Sequence, residues 1–131
     1  MSACYSVTLT AAIKDEQGAL ATTQKFIRDA KNTDFGLVDY LAQGVDISSL
    51  EGLIRVLLAG RKENSFTATD SDDGFRIYDS GFNASYGWES VMIEWFEAIA
   101  PHLADGSRLL IYPDSDFDLL VVEQGKAITK H

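Results

Sequence analysis

From Tyr5 to Ile13 the chain alternates apolar and polar residues (YSVTLTAAI) and is rich in β-branched and aromatic types, which predicts a strand with one buried face. Asp15 and Glu16 then place acids where a helix N-terminus favours them. Leu20, Ile27 and Ala30 share one face of the predicted helix, which stops at Lys31-Asn32. A short helix over Leu37 to Leu41, closed by Gly44, is a weaker expectation because Gly36 disfavours it. Ser48 followed by Glu51 matches a capping box. Leu50, Leu53, Ile54, Leu57 and Leu58 continue from it as a helical apolar stripe that Gly60 can end.

Residues 65 to 79 read as two short strands around an Asp-Asp-Gly turn, with Phe66, Ala68, Phe75 and Ile77 alternating against polar neighbours. From Trp88 to Ala100 the period becomes helical. Trp88, Val91, Met92, Trp95, Phe96 and Ile99 fall on one stripe, with Glu94 and Glu97 opposite, and Pro101 ends it. Runs at 108 to 112, 118 to 122 and 127 to 129 predict a closing meander of strands, joined by Pro-Asp-Ser-Asp and by Gln124-Gly125. The expected architecture is one α+β domain over residues 1 to 131. Its antiparallel sheet of about five or six strands packs against three or four helices.

Composition sharpens the partner question. Residues 1 to 62 hold seven acidic and seven basic side chains, whereas residues 63 to 131 hold thirteen and four, so the whole net charge of −9 sits in the second half. Such a surface repels phosphate backbones and attracts basic ones, which argues against direct nucleic-acid binding. With 46% hydrophobic residues the chain is nevertheless no disordered acidic tail. The single cysteine, Cys4, leaves no internal disulfide, and the N-terminal stretch MSACYSVTLTAAIK has neither a basic leader nor an unbroken apolar run. A cytoplasmic protein without a membrane segment is the expectation.

No motif compels a chemistry. Nucleophilic catalysis has only Cys4, His102 and His131 to draw on, and no glycine-rich phosphate loop is present. His102 beside Pro101 reads most simply as a helix-end residue. Asp70, Asp72 and Asp73, and again Asp114, Asp116 and Asp118, form acidic loops. In an EF-hand count from Asp114, however, Leu119 and Gly125 stand where glycine and a bidentate glutamate are required. No metal or cofactor is therefore expected. The stretch GFNASYGWES gathers Phe82, Tyr86 and Trp88 ahead of the core helix, and these aromatics either seal the core or present an interface anchor.

The run from Tyr86 to Lys126, with YGWESVMIEWFEAIAP, DGSRLLIYPDS and LLVVEQGK, resembles a group of uncharacterised small acidic bacterial proteins associated with Firmicutes and mobile elements. That resemblance covers roughly a third of the chain. It implies a bacterial cytosolic protein and assigns no activity. The function expected from the residues is a non-catalytic interaction module, such as an inhibitor, immunity-type or regulatory protein, that engages a basic partner. Its expected contacts are Asp70, Asp72, Asp73, Asp79, Asp114, Asp116 and Asp118 with Phe82 and Tyr86. The alternative is a small hydrolase or metal-dependent enzyme built on the aspartate loops and His102. Millimolar calcium should leave the melting temperature unchanged, since a site filled to 100 times its Kd would add about 2.7 kcal/mol. An upward shift abolished by Asp116→Asn would reinstate a metal site.

Overall fold

Strand β1, Ser2–Ala11, occupies the middle of the sheet because both its edges find partners. It runs antiparallel to β3 (Arg76–Ser85) over all ten residues, from Ser2 opposite Ser85 to Ala11 opposite Arg76, and antiparallel to β4 (Arg108–Tyr112) on the other side. β2 (Ser65–Asp70) pairs with β3, while β5 (Asp118–Glu123) and β6 (Lys126–Lys130) continue from β4. The order is β2-β3-β1-β4-β5-β6, every pairing antiparallel. This computed structural model describes residues 2–29, 48–60, 64–85, 88–112 and 117–130. The short helix expected over Leu37 to Leu41 lies outside them.

Alternation decides which face is buried. Tyr5, Val7, Leu9 and Ala11 of β1 point to the core with Tyr78, Ser80 and Phe82 of β3, Leu109 and Ile111 of β4, and Leu120 and Val122 of β5. Three helices supply the opposing layer: α1 (Glu16–Asp29), α2 (Leu50–Ala59) and α3 (Trp88–Ile99). The fold is α+β. Because β3 and β4 flank β1 and are parallel to each other, α3 must cross from one to the other. Its stripe of Trp88, Val91, Met92, Trp95, Phe96 and Ile99 is buried along its whole length. A three-residue 3₁₀ turn, Ala100–His102, follows where Pro101 ends α3.

Helix α2 is held at both ends. Its N-cap is Ser49 rather than Ser48. The Ser49 Oγ accepts the Gly52 amide at 3.1 Å, so that Leu50 begins the buried stripe, and Glu51 turns outward to Arg76 instead of closing a capping box. At the other end the Gly60 amide makes the last helical bond, to Val56 O at 3.0 Å, and the next three carbonyls, left inside the protein without helical partners, each acquire a donor from elsewhere. The Trp88 indole donates to Leu57 O at 3.0 Å, the Ser80 hydroxyl to Leu58 O at 2.5 Å and the Asn64 amide to Ala59 O at 2.6 Å. Gly60 adopts φ 72°, a conformation glycine takes without a Cβ penalty.

Two further polar contacts tie α3 down. The Trp95 indole donates to Thr23 Oγ1 of α1 at 3.0 Å, and the Tyr5 hydroxyl donates to the Glu89 carboxylate in the first turn of α3. Burial, reinforced by the Glu89 carboxylate, holds the Tyr5 phenol well above its ordinary range, so it stays a neutral donor. Trp95 is fully buried, whereas Glu94 on the opposite side of α3 is exposed. Trp95→Ala should therefore cost about 3 to 5 kcal/mol and Glu94→Ala no more than about 0.5 kcal/mol. Equal denaturation midpoints for the two variants would contradict the placement of the helix.

Candidate interaction surface

Among the described residues the helices lie on one side of the sheet, and the alternate residue of each strand faces the other. On β1 to β3 this free face is polar, with Ser6, Thr8, Thr67, Asp79 and Asn83. Thr8 Oγ1 donates to Asp79 Oδ1 at 2.8 Å. On β4 to β6 it carries an apolar strip, Leu110 opposite Leu119 and Val121 opposite Ile128, bordered by the charged Arg108, Glu123, Lys126 and Lys130. Tyr112 and Phe117 close this half at the Ser2 end of the sheet, 50% and 45% exposed. Their ring centroids lie 5.6 Å apart with planes inclined at 43°. Among the described residues these two and Ile128 are the exposed large hydrophobic side chains.

The structure distributes the acids proposed from sequence. Asp70 ends β2 and is ion-paired to Arg76 at 2.8 Å, while Arg76 also holds Glu51 at 2.9 Å, so the three groups together keep one net negative charge. Asp72 and Asp73 are exposed at the tip of the β2–β3 hairpin, where Gly74 takes φ 88°. The Ser71 hydroxyl and then the Phe75 amide hold the Asp73 carboxyl below the usual carboxylate range, so it is ionised at neutral pH. Asp79 lies on the free face and is exposed. Asp118 begins β5 opposite Ile111, half-buried with the inward-facing register. Strand register puts the hairpin tip beyond Ala11 and Asp118 toward Ser2, so the hairpin acids and Asp118 stand at opposite ends of the sheet. Asp114, Asp116 and Tyr86 lie outside the described residues.

The anchor expected in GFNASYGWES is corrected for Phe82. β3 runs on through Gly81 to Ser85, pairing with the first residues of β1. Its alternation turns Phe82 inward, 6% exposed, with its ring 5.7 Å from that of Tyr5. Trp88 is likewise buried. These two aromatics seal the core. The exposed pair is Tyr112 and Phe117, which sequence reasoning passed over. Their signal was present in the β4 alternation, which sets Arg108, Leu110 and Tyr112 on the face opposite Leu109 and Ile111.

His102 has partners that only the fold reveals. Its Nε2 lies 3.1 Å from Thr22 Oγ1 and its Nδ1 lies 3.5 Å from Asp15 Oδ2, the order of hydroxyl, base and acid that acyl transfer uses. The other contacts of the group are those of a clasp. Asp15 Oδ1 accepts the Gly18 amide at 3.0 Å as the N-cap of α1, and the His102 carbonyl accepts the Lys14 amide at 2.8 Å. Beside Thr22 opens a shallow cavity of about 270 Å³, lined also by Lys25, Phe26, Asp29 and Ala98. The one cation in that lining, Lys25, is already paired with Asp29 at 2.8 Å. A larger cavity, about 540 Å³, lies between the starts of α1 and α2 and contains neither His102 nor Asp118. Among the described residues no three His, Cys, Asp or Glu side chains converge as metal ligands, and no helix is long and apolar enough to cross a membrane.

Comparison with protein families, curated proteins and solved structures finds no match to this chain. The site's geometry therefore carries the functional reading.

Gly18 makes the clasp possible. A Cβ there would lie 2.3 Å from Asp15 Oδ2 and 2.7 Å from the His102 ring. Gly18→Ala alone should lower stability by about 1 to 2 kcal/mol, because displacing the ring costs more than the roughly 1 kcal/mol that alanine adds to a helix. Introduced into His102→Ala, the same change should instead stabilise. A double-mutant cycle by urea denaturation that finds the two changes additive would show that the ring does not require the glycine.

Proposed function

We propose that the protein works by binding, as an inhibitor, immunity-type or regulatory partner that engages a basic surface on another protein. The observation that carries this reading is the free face of the sheet, which displays Asp79 and the exposed pair Tyr112 and Phe117 in a chain of net charge −9. Exposed aromatic residues bring binding energy when a partner desolvates them, and dense negative potential steers a basic partner while rejecting polyanions. The alternative, an enzyme built on His102 and the aspartate loops, has less behind it. The hairpin acids, Asp118 and His102 line neither of the two cavities described above, and His102 serves the contact between α1 and the 3₁₀ turn. A cytoplasmic setting suits a chain with a single cysteine.

Division of the acids between two ends changes the expected contact. Asp70 shares Arg76 with Glu51, so among the candidate acids Asp72, Asp73 and Asp79 are assigned to steering. For a partner isolated on the immobilised protein, the association rate should fall as salt is raised from about 0.15 M to 1 M, where the Debye length shrinks to about 3 Å. Asp72→Asn with Asp73→Asn should slow association severalfold and change dissociation little. Kinetics indifferent to both salt and these substitutions would overturn the proposal.

A further inference from the structure

We infer that β2 is a dimerisation edge, along which a second copy of this chain adds its own β2 and joins the two six-stranded sheets into one. The contact uses a sheet edge rather than the free face, and so stands apart from the binding function proposed above. β2 and β6 are the two outer strands. The β2–β3 hairpin fixes which groups of β2 point outward. The Ser71 amide donates to the Phe75 carbonyl at 2.8 Å, so in the alternating antiparallel ladder Thr69, Thr67 and Ser65 turn their backbone groups toward β3. Phe66, Ala68 and Asp70 turn theirs away, and among the described residues nothing pairs with them. Ser65, Thr67, Thr69 and Asp70 are exposed along this edge.

Groups in that phase accept an extended strand, and β2 itself is a strand already ordered for the purpose. In an antiparallel two-fold pairing centred on Ala68, Ala68 faces itself and Phe66 faces Asp70 of the second copy. All the outward amides and carbonyls then close at once. On the free face Thr67 meets Thr69 of the second copy, a cross-strand pair that sheets favour. On the helix side Asp70 comes beside Phe66 of the second copy, whose ring lies 5.3 Å under the Arg55 guanidinium. The cluster of Asp70, Glu51 and Arg76 keeps one net negative charge, so each end of the contact sets an acid group against an arginine. β6 fails the same operation. Its outward groups belong to Ala127 and Thr129, because Lys126 pairs with Glu123 across the two-residue turn. Centring that strand on Ile128 would set Lys126 opposite Lys130 of the second copy, and like charges opposed across strands repel, even with Lys130 held by Glu123. β2, reading SFTATD, contains no lysine, arginine or proline to guard it.

The test is sedimentation equilibrium of the full chain at about 0.5 M salt, where repulsion between two copies of net charge −9 is largely screened. The average mass should climb from monomer toward dimer between about 10 μM and 1 mM protein. Ala68→Pro removes an outward amide, leaves the pairing with β3 intact and should hold the chain monomeric. Should that variant lose its fold by circular dichroism, Thr67→Lys with Thr69→Lys copies the guard of β6 onto β2 and must give the same monomer. The register is tested in a Cys4→Ser background. Ala68→Cys should oxidise in a glutathione buffer to a disulfide-linked dimer, because the two-fold axis brings that position within about 5.5 Å of itself. It should do so at least about tenfold faster than Ala127→Cys on β6. A monomer at every concentration, a dimer indifferent to both β2 variants, or equal oxidation at the two positions overturns the inference. None of these outcomes touches the proposed function, which falls only on the salt dependence of the basic partner.

Discussion

The buried C-terminus of α2 is the constraint on which the rest of the molecule turns. A helix that ends in the interior leaves carbonyls that water cannot reach, and an unpaired buried carbonyl costs about 1 to 3 kcal/mol. Here the donors come from Trp88 in α3, Ser80 in β3 and Asn64 in the approach to β2, so one helix end fixes the relative position of three other segments. Trp88 serves two purposes at once, since its ring fills the core and its N–H meets Leu57. Trp95 repeats the device toward α1 through Thr23. These contacts are directional in a way that apolar packing is not, and they select one arrangement of three helices over a sheet that many arrangements could cover.

That selection explains why sequence periodicity located the elements but not their partners. The strand at Tyr5, the core helix at Trp88 and the closing meander follow from alternation and a 3.6-residue period, which are local properties. Thr23 was invisible to the same reasoning. It faces the core of α1 beside Ala19 and Ile27, because a buried indole needs an acceptor, whereas the pattern had chosen the more apolar Leu20, which is only half-buried. The N-cap moved by one residue, from Ser48 to Ser49, because the buried stripe had to begin at Leu50 and no local rule separates two adjacent serines. β3 outgrew its expected length because ten residues of β1 template it, and this decided Phe82, left open between core and anchor, in favour of the core.

The candidate surface was legible in its charge and not in its geometry. Sequence correctly assigns the acids to the second half of the chain. The strand order then sends the hairpin acids and Asp118 to opposite ends, and Arg76 binds Asp70 together with Glu51 in one ion-paired cluster. The His102 clasp was equally hidden. Asp15 caps α1 and Thr22 lies within it, far from His102 in sequence, and the bridge from Ile13 to Leu103 brings the two segments together.

One consequence of a single helical layer concerns where binding energy and binding rate reside. The helix side of the sheet has used its aromatic residues on stability: Tyr5, Phe82, Trp88, Trp95 and Phe96 are all buried. Rings that a partner could cover are left on the free face at Tyr112 and Phe117, while carboxylates that a partner could feel at a distance stand at the hairpin tip and at Asp79. Long-range steering needs charge that stays solvated and unpaired. Short-range anchoring needs apolar surface that water gains by leaving. Among the described residues the sheet is covered on one side and presents both on its other face and its edges without drawing on the core, so that surface can change while the contacts around Trp88 and Trp95 hold the fold.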